Sequence, residues 1–158
     1  MTSSDDLIRS AKSSVGATSA VPRRNQAVVT CMDTRIDPWR ILNAGVGDIH
    51  VIRNAGGLVT EDVERSLVLS QRALQTTRID LIMHTTCGVL DLDESALNAE
   101  LAADGASAIR TGTFSDLEAE LRRGVALLRS NPALKTRSAI RGYIYDLSAS
   151  TLRLVVDA

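Results

Sequence analysis

Two cysteines, two histidines and two lysines are all that 158 residues hold of those types, and each scarcity removes a class of explanation. Two cysteines are too few for a disulfide scaffold, and a domain of this length buries roughly 70% of its unfolded surface without one. Long apolar runs are missing as well. No window approaches the roughly 18 consecutive apolar residues of a membrane-spanning helix, so no membrane partner is expected. The stretch MTSSDDLIRSAKSSVGATSA carries acids where a secretory signal needs bases and has no apolar centre, which leads to the expectation of a cytoplasmic protein. Charge of one sign is not in excess: 18 basic residues face 19 acidic ones, for a formal net charge of -1, and nothing draws the chain to nucleic acid or anionic lipid. The basic residues are almost all arginine, Lys12 and Lys135 excepted, scattered among acids as on an ordinary solvated surface. What is present, 44% hydrophobic and 23% charged residues, is the composition of one soluble globular domain spanning 1–158. In a reducing compartment the two cysteines then need a catalytic or metal-binding explanation.

Residues 1–25 are polar and punctuated by SSVGATSAVPRRN, which predicts a short helix around Asp5 to Lys12 and a loose arm that could pack on a neighbouring subunit. QAVVTC, DIHVIR and IDLIMH are short apolar runs rich in β-branched residues, each followed by turn or helix-start chemistry, and read as three strands. Between the second and third, Val63, Leu67, Ser70 and Leu74 recur at helical spacing behind Glu61, Asp62 and Glu64, the pattern of an amphipathic crossover helix. SDLEAELRRGVALLRSNP predicts another helix, with Ser115 and Glu118 as a capping box, Leu117, Leu121, Val125 and Leu128 as its apolar stripe and a stop before Pro132. IRGYIYDLSASTLRLVV reads as a hairpin or edge addition. Apolar strands linked by helices predict an α/β fold: a single domain with a mainly parallel central sheet, doubly wound and flanked by helices.

Parallel strands end at one edge, so Cys31 closing the first strand, His84 closing the third in LIMHTTCG, and Cys87 just beyond can meet there. Two thiolates and an imidazole suit zinc, and three protein ligands leave a tetrahedral position open, as in catalytic sites. Spacing alone leaves other readings open: small buried core cysteines, a Cys31 nucleophile with His84 as base, or a structural or redox role. Asp33 and Arg35 narrow the choice. In an extended segment residues two apart share a face, so Cys31, Asp33 and Arg35 project together while Met32 and Thr34 point away. A carboxylate beside a metal site can accept a hydrogen bond from bound water, and a guanidinium can hold that carboxylate bidentately and ionised.

CMDTR, GDIHVIRNAGG, the helix SLVLSQRAL and HTTCG, in that order and covering residues 26–91, resemble the β-class carbonic anhydrases, in particular their short bacterial members. The resemblance implies a zinc ion, one per subunit, held by Cys31, His84 and Cys87, with Asp33 and Arg35 as the catalytic dyad. It also implies a homodimer or homotetramer with sites near the subunit interface, and a small-molecule substrate: zinc-bound hydroxide would hydrate carbon dioxide reversibly to bicarbonate and a proton. Some members have a second state in which the aspartate itself binds the metal.

Gly56 and Gly57 in RNAGG permit close backbone approach or positive φ in a loop that lines the site in this family, and Gly88 would let backbone amides turn towards a ligand sulfur; these three are the expected substrate-binding positions. Arg53 and Asn54 are read as steering bicarbonate or, the favoured reading, holding that loop, and His50, inside a strand without a ligand-spaced partner, as a structural or surface histidine. The chain departs from the pattern at Thr86 and Met83, no residue is identified for the glutamine that larger relatives carry, and the lone phenylalanine, Phe114, lies far along the chain. Carbonyl sulfide and carbon disulfide hydrolases share the scaffold and metal set, so they remain the alternative activity.

Overall fold

Each of the three apolar runs is a strand: β1 (Gln26–Cys31), β2 (Ile49–Asn54) and β3 (Arg78–His84). The computed structural model describes residues 19–158; the helix expected around Asp5 to Lys12 and the packing of the arm lie outside the described residues. All six residues of β1 are buried, because it is the central partner, parallel to β2 on one side and to β3 on the other. β4 (Ile140–Asp146) continues the sheet in parallel, and β5 (Thr151–Val156) returns antiparallel along its edge, so the tail forms the expected hairpin and the order is β2-β1-β3-β4-β5. From β1 the chain steps to β2 on one side and then crosses back to β3 on the other. The strand order therefore reverses between the carboxyl ends of β1 and β3, where open α/β sheets leave a crevice for ligands.

Among the described residues, four α-helices flank the sheet: α1 (Pro38–Ile41), α2 (Glu61–Arg72), α3 (Glu94–Ala103) and α4 (Leu117–Ser130). α2 is the predicted crossover, capped by Thr60 and burying Val63, Leu67, Ser70 and Gln71. It ends earlier than the stripe implied: the amide of Leu74 reaches back to the Leu69 carbonyl and Gln75 takes a left-handed φ of 62°, which places Leu74 beyond the last turn. The start of α4 also differs from expectation. Asp116, not Ser115, is the cap, accepting from the amides of Glu118 and Ala119 at 3.0 and 2.9 Å; its carboxylate satisfies two orphan donors at the positive end of the helix. Glu118, released from a capping box, pairs with Arg122 and Arg153.

The layers are unequal, which qualifies the doubly wound expectation. α2 and α4 both pack on one face, where Val63, Leu67, Leu121, Val125 and Leu128 meet Ala27, Val29, Leu81, Met83 and Ile140. On the opposite face Val28, Ile49 and Ile82 are buried, while Val51, Tyr143, Tyr145 and Leu152 are only partly covered; Leu42 and Ala44, just after the four-residue α1, pack there. Among the described residues no helix is long and apolar enough to cross a membrane. His50 has the structural place expected of it: Nδ1 lies 2.8 Å from Ser70 Oγ and Nε2 lies 2.8 Å from the Ala20 carbonyl, tying β2 to α2 and to the start of the described chain.

Candidate metal centre

β1 and β3 end in polar chemistry at the crevice. The Sγ atoms of Cys31 and Cys87 and a ring nitrogen of His84 lie within 4.8 Å of one another, and all three residues are buried. The sulfurs are 3.9 Å apart, far too long for a disulfide and close to the roughly 3.8 Å that separates two thiolates sharing one tetrahedral zinc. His84 settles its own tautomer. Nδ1 lies 2.9 Å from the Thr85 carbonyl, which can only accept, so Nδ1 carries the proton and Nε2 keeps its lone pair. That Nε2 is buried without a hydrogen-bond partner among the described residues, and burial pushes the imidazole towards its neutral form. An orphaned buried acceptor beside two thiols fits a soft divalent cation, and the carbonyl behind the ring is the usual support of a metal-binding histidine. Burial also raises the Cys87 thiol, while the amides of Val89 and Leu90 pull it back down by hydrogen bonding to it.

The turn after Cys87 is closed by the Leu90 amide, which donates to the Cys87 carbonyl at 3.1 Å. Gly88 itself has open space where a Cβ would stand, so the position tolerates a side chain. Gly56 and Gly57 are different. Both take left-handed φ values, 79° and 66°, and a Cβ on Gly57 would stand 3.0 Å from the amide nitrogen of Cys31. The glycine loop thus lies directly against the backbone that carries the first thiol, and Gly57→Ala is expected to cost about 1–3 kcal/mol by thermal unfolding and to weaken metal retention in the same protein.

Asp33 and Arg35 do meet, though not by the route expected. β1 stops at Cys31, and residues 33–35 form a tight turn rather than an extended run. Asp33 Oδ1 accepts from the Arg35 amide at 2.9 Å and from Nε at 2.9 Å, while Nη2 reaches Oδ2 at 2.6 Å. These bonds hold the Asp33 carboxyl well below the usual carboxylate range and raise the Arg35 guanidinium in turn. Asp33 Oδ2 is 4.0 Å from His84 Nε2, so the carboxylate faces the ligand cluster without joining it. Met32 and Thr34 are exposed, as expected.

Arg53 and Asn54 hold the surroundings. Arg53 donates to the carbonyls of Cys31 and Asp33 at 2.9 and 2.8 Å, and Asn54 pins the glycine loop through two 2.8 Å bonds with the backbone of Leu58. Sequence reasoning missed Phe114. It packs with Ala55, Val89 and Leu90 against the two cysteines, an apolar wall at the metal centre. A signal was available: α4 leads into a parallel strand, so its start, three residues after Phe114, must lie at the same carboxyl edge as Cys31 and His84.

The fold and the site together define an α/β protein in which Cys31, His84 and Cys87 are positioned to hold a metal ion. The carbonic anhydrase family profile matches residues 26–111. The chain is 36% identical over 138 residues to β-carbonic anhydrase 1 of Mycobacterium tuberculosis, covering 85% of this chain and 83% of that protein. It is 30% identical over 148 residues to a carbon disulfide hydrolase of Acidithiobacillus thiooxidans, covering 80% and 74%. The crystal structure of a carbonic anhydrase from Streptococcus mutans superposes with a TM-score of 0.79 at 37% identity, covering 85% of this chain and 83% of that one. This chain belongs to the β-carbonic anhydrase family of zinc-dependent lyases.

Proposed function

We propose that the protein catalyses the reversible hydration of carbon dioxide to bicarbonate and a proton, with zinc held by Cys31, His84 and Cys87 and with Asp33 and Arg35 as the orienting pair. The observation that carries this reading is the buried, unpartnered Nε2 of His84 beside two thiols, with an ionised carboxylate 4.0 Å away. Bound zinc would supply Lewis acidity that makes water a nucleophile near neutral pH. Asp33, ionised and therefore acceptor-only, would accept a hydrogen bond from that nucleophile and so leave its lone pair directed at the substrate carbon. Arg35 keeps the carboxylate charged and turned inward. His84 cannot serve as the proton carrier, since one nitrogen faces the metal position and the other is committed to Thr85. The released proton leaves to buffer.

Ala55, Val89, Leu90 and Phe114 give a linear, uncharged substrate an apolar surface to lie on, and Gly56 and Gly57 let the loop approach closely enough to close the pocket. Carbon disulfide and carbonyl sulfide fit the same description, and the relative named a carbon disulfide hydrolase keeps that second reading in view. The partly covered sheet face with Tyr143, Tyr145 and Leu152 supports assembly into at least a homodimer, and two ligand thiols that must stay reduced support a cytoplasmic setting. The deciding experiment measures carbon dioxide hydration and hydrogen sulfide release from carbonyl sulfide on one zinc-loaded preparation near pH 8.5. We expect hydration to dominate; a reversed ratio would assign the pocket to the sulfur-bearing substrates.

A further inference from the structure

Thr86 sits between two residues of the ligand set and has the wrong backbone for its side chain. Its φ is 52°, in the left-handed region that β-branched residues avoid. Strain of this kind persists only where the surroundings impose it. Its carbonyl accepts from Arg35 Nη2 at 3.0 Å, and its hydroxyl lies 3.4 Å from Nη1. Among the described residues, the Arg35 guanidinium bonds to Asp33 and Thr86 alone. The Arg35 side chain is 51% exposed, and an ion pair so open to water does not fix its own orientation. A third, rigid partner is needed, and Thr86 is the one present.

We propose that Thr86 is a positioning residue for the Asp33–Arg35 pair: its left-handed backbone turns the residue-86 carbonyl onto the guanidinium and thereby fixes the direction in which Asp33 faces the site. The inference rests on the reading that this pair orients the nucleophile. It links the two motifs physically, since HTTCG then supplies two ligands and also the anchor for the arginine of CMDTR. The hydroxyl, 3.4 Å from Nη1, helps a β-branched residue keep a backbone that glycine or asparagine enters unaided, so turnover should follow how readily residue 86 holds the left-handed conformation rather than side-chain size.

The test compares Thr86→Gly, Thr86→Asn and Thr86→Val in the zinc-loaded full chain. Glycine and asparagine enter the left-handed region readily, whereas valine keeps the branch and loses the hydroxyl. We expect kcat within twofold of the parent for Gly and Asn and about fivefold lower for Val, with zinc content unchanged in all three. The Arg35 Nε–H resonance, protected from solvent exchange in the parent, Gly and Asn proteins, should lose that protection in Val. In an Arg35→Lys background, where the two-pronged grip is already gone, Thr86→Val should lower kcat no further. Parent-like kcat and protection in Val, an equal loss in Gly or Asn, zinc loss in Val, or an additive loss in the Lys background would each overturn the proposal. If Arg35→Lys lowers kcat and Thr86→Val does not, this inference alone fails; if Arg35→Lys leaves kcat unchanged, the orienting role of the pair fails with it.

Discussion

Replacing Cys31, His84 or Cys87 by alanine is expected to remove zinc and carbon dioxide hydration together, with turnover falling by about 10³-fold or more because no other group on the chain can acidify water to the same degree. The three residues have different backgrounds, which makes agreement among them informative. Cys31 ends an interior strand and Cys87 sits in a turn closed by the Leu90 amide on its own carbonyl, whereas His84 is braced by the Thr85 carbonyl. Only a shared metal makes their losses equivalent. Stability supplies a second readout. Without a cation the fold buries an unpaired imidazole nitrogen between two thiols, so metal binding stabilises the native state by mass action. A chelator should lower the melting temperature of the parent protein and leave that of the three variants unchanged. Retention of stoichiometric zinc by any one variant would remove that residue from the ligand set.

That Cys31, His84 and Cys87 meet was legible in the sequence, because their juxtaposition follows from the sheet. Once QAVVTC and IDLIMH are recognised as parallel strands, their last residues must lie at one edge, and only the register, Thr30 opposite Ile82, had to come from the structure. The dyad was found for a reason that does not hold. Asp33 and Arg35 meet through a turn closed by the Arg35 amide on Asp33 Oδ1, not through alternation along a strand, and a two-residue spacing cannot distinguish these. Helix ends were less legible than helices: Ser115 and Asp116 are about equally good caps by residue type, and it is Asp116 whose carboxylate takes two amides, while Leu74 keeps the stripe's period after the backbone has left the helix. α3 has no buried residue, so it has no stripe to read, although Asp93 marks its start by accepting from the Ala96 amide. Phe114 and Thr86 were visible in the sequence without a role, because their significance is tertiary. One becomes part of the pocket wall only when α4 is placed, and the other acquires meaning only from its φ and from the arginine that reaches it.

Asp33 supports the second large prediction, since it faces the ligand cluster from outside it. Asp33→Ala should retain one zinc per chain and lose about 100-fold or more in kcat, a cost at the upper end of what groups hydrogen-bonded to a metal site contribute. The melting temperature should move little, because the ion pair with Arg35 is open to water on the arginine side. Asp33→Asn separates two contributions. An amide oxygen can still accept from the Arg35 amide and so preserve the turn, but it carries no charge and presents N–H donors where the site needs an acceptor. If the carboxylate acts by accepting the nucleophile's hydrogen, Asn should be as impaired as Ala; if Asp33 served only to close the turn, Asn should recover most of the activity. Zinc loss in Asp33→Ala would instead make the aspartate a ligand of the resting enzyme, and the 4.0 Å gap to His84 Nε2 would then describe only the metal-free protein. Measuring metal content and kcat on the same two variants therefore distinguishes orienting group, structural turn and metal ligand.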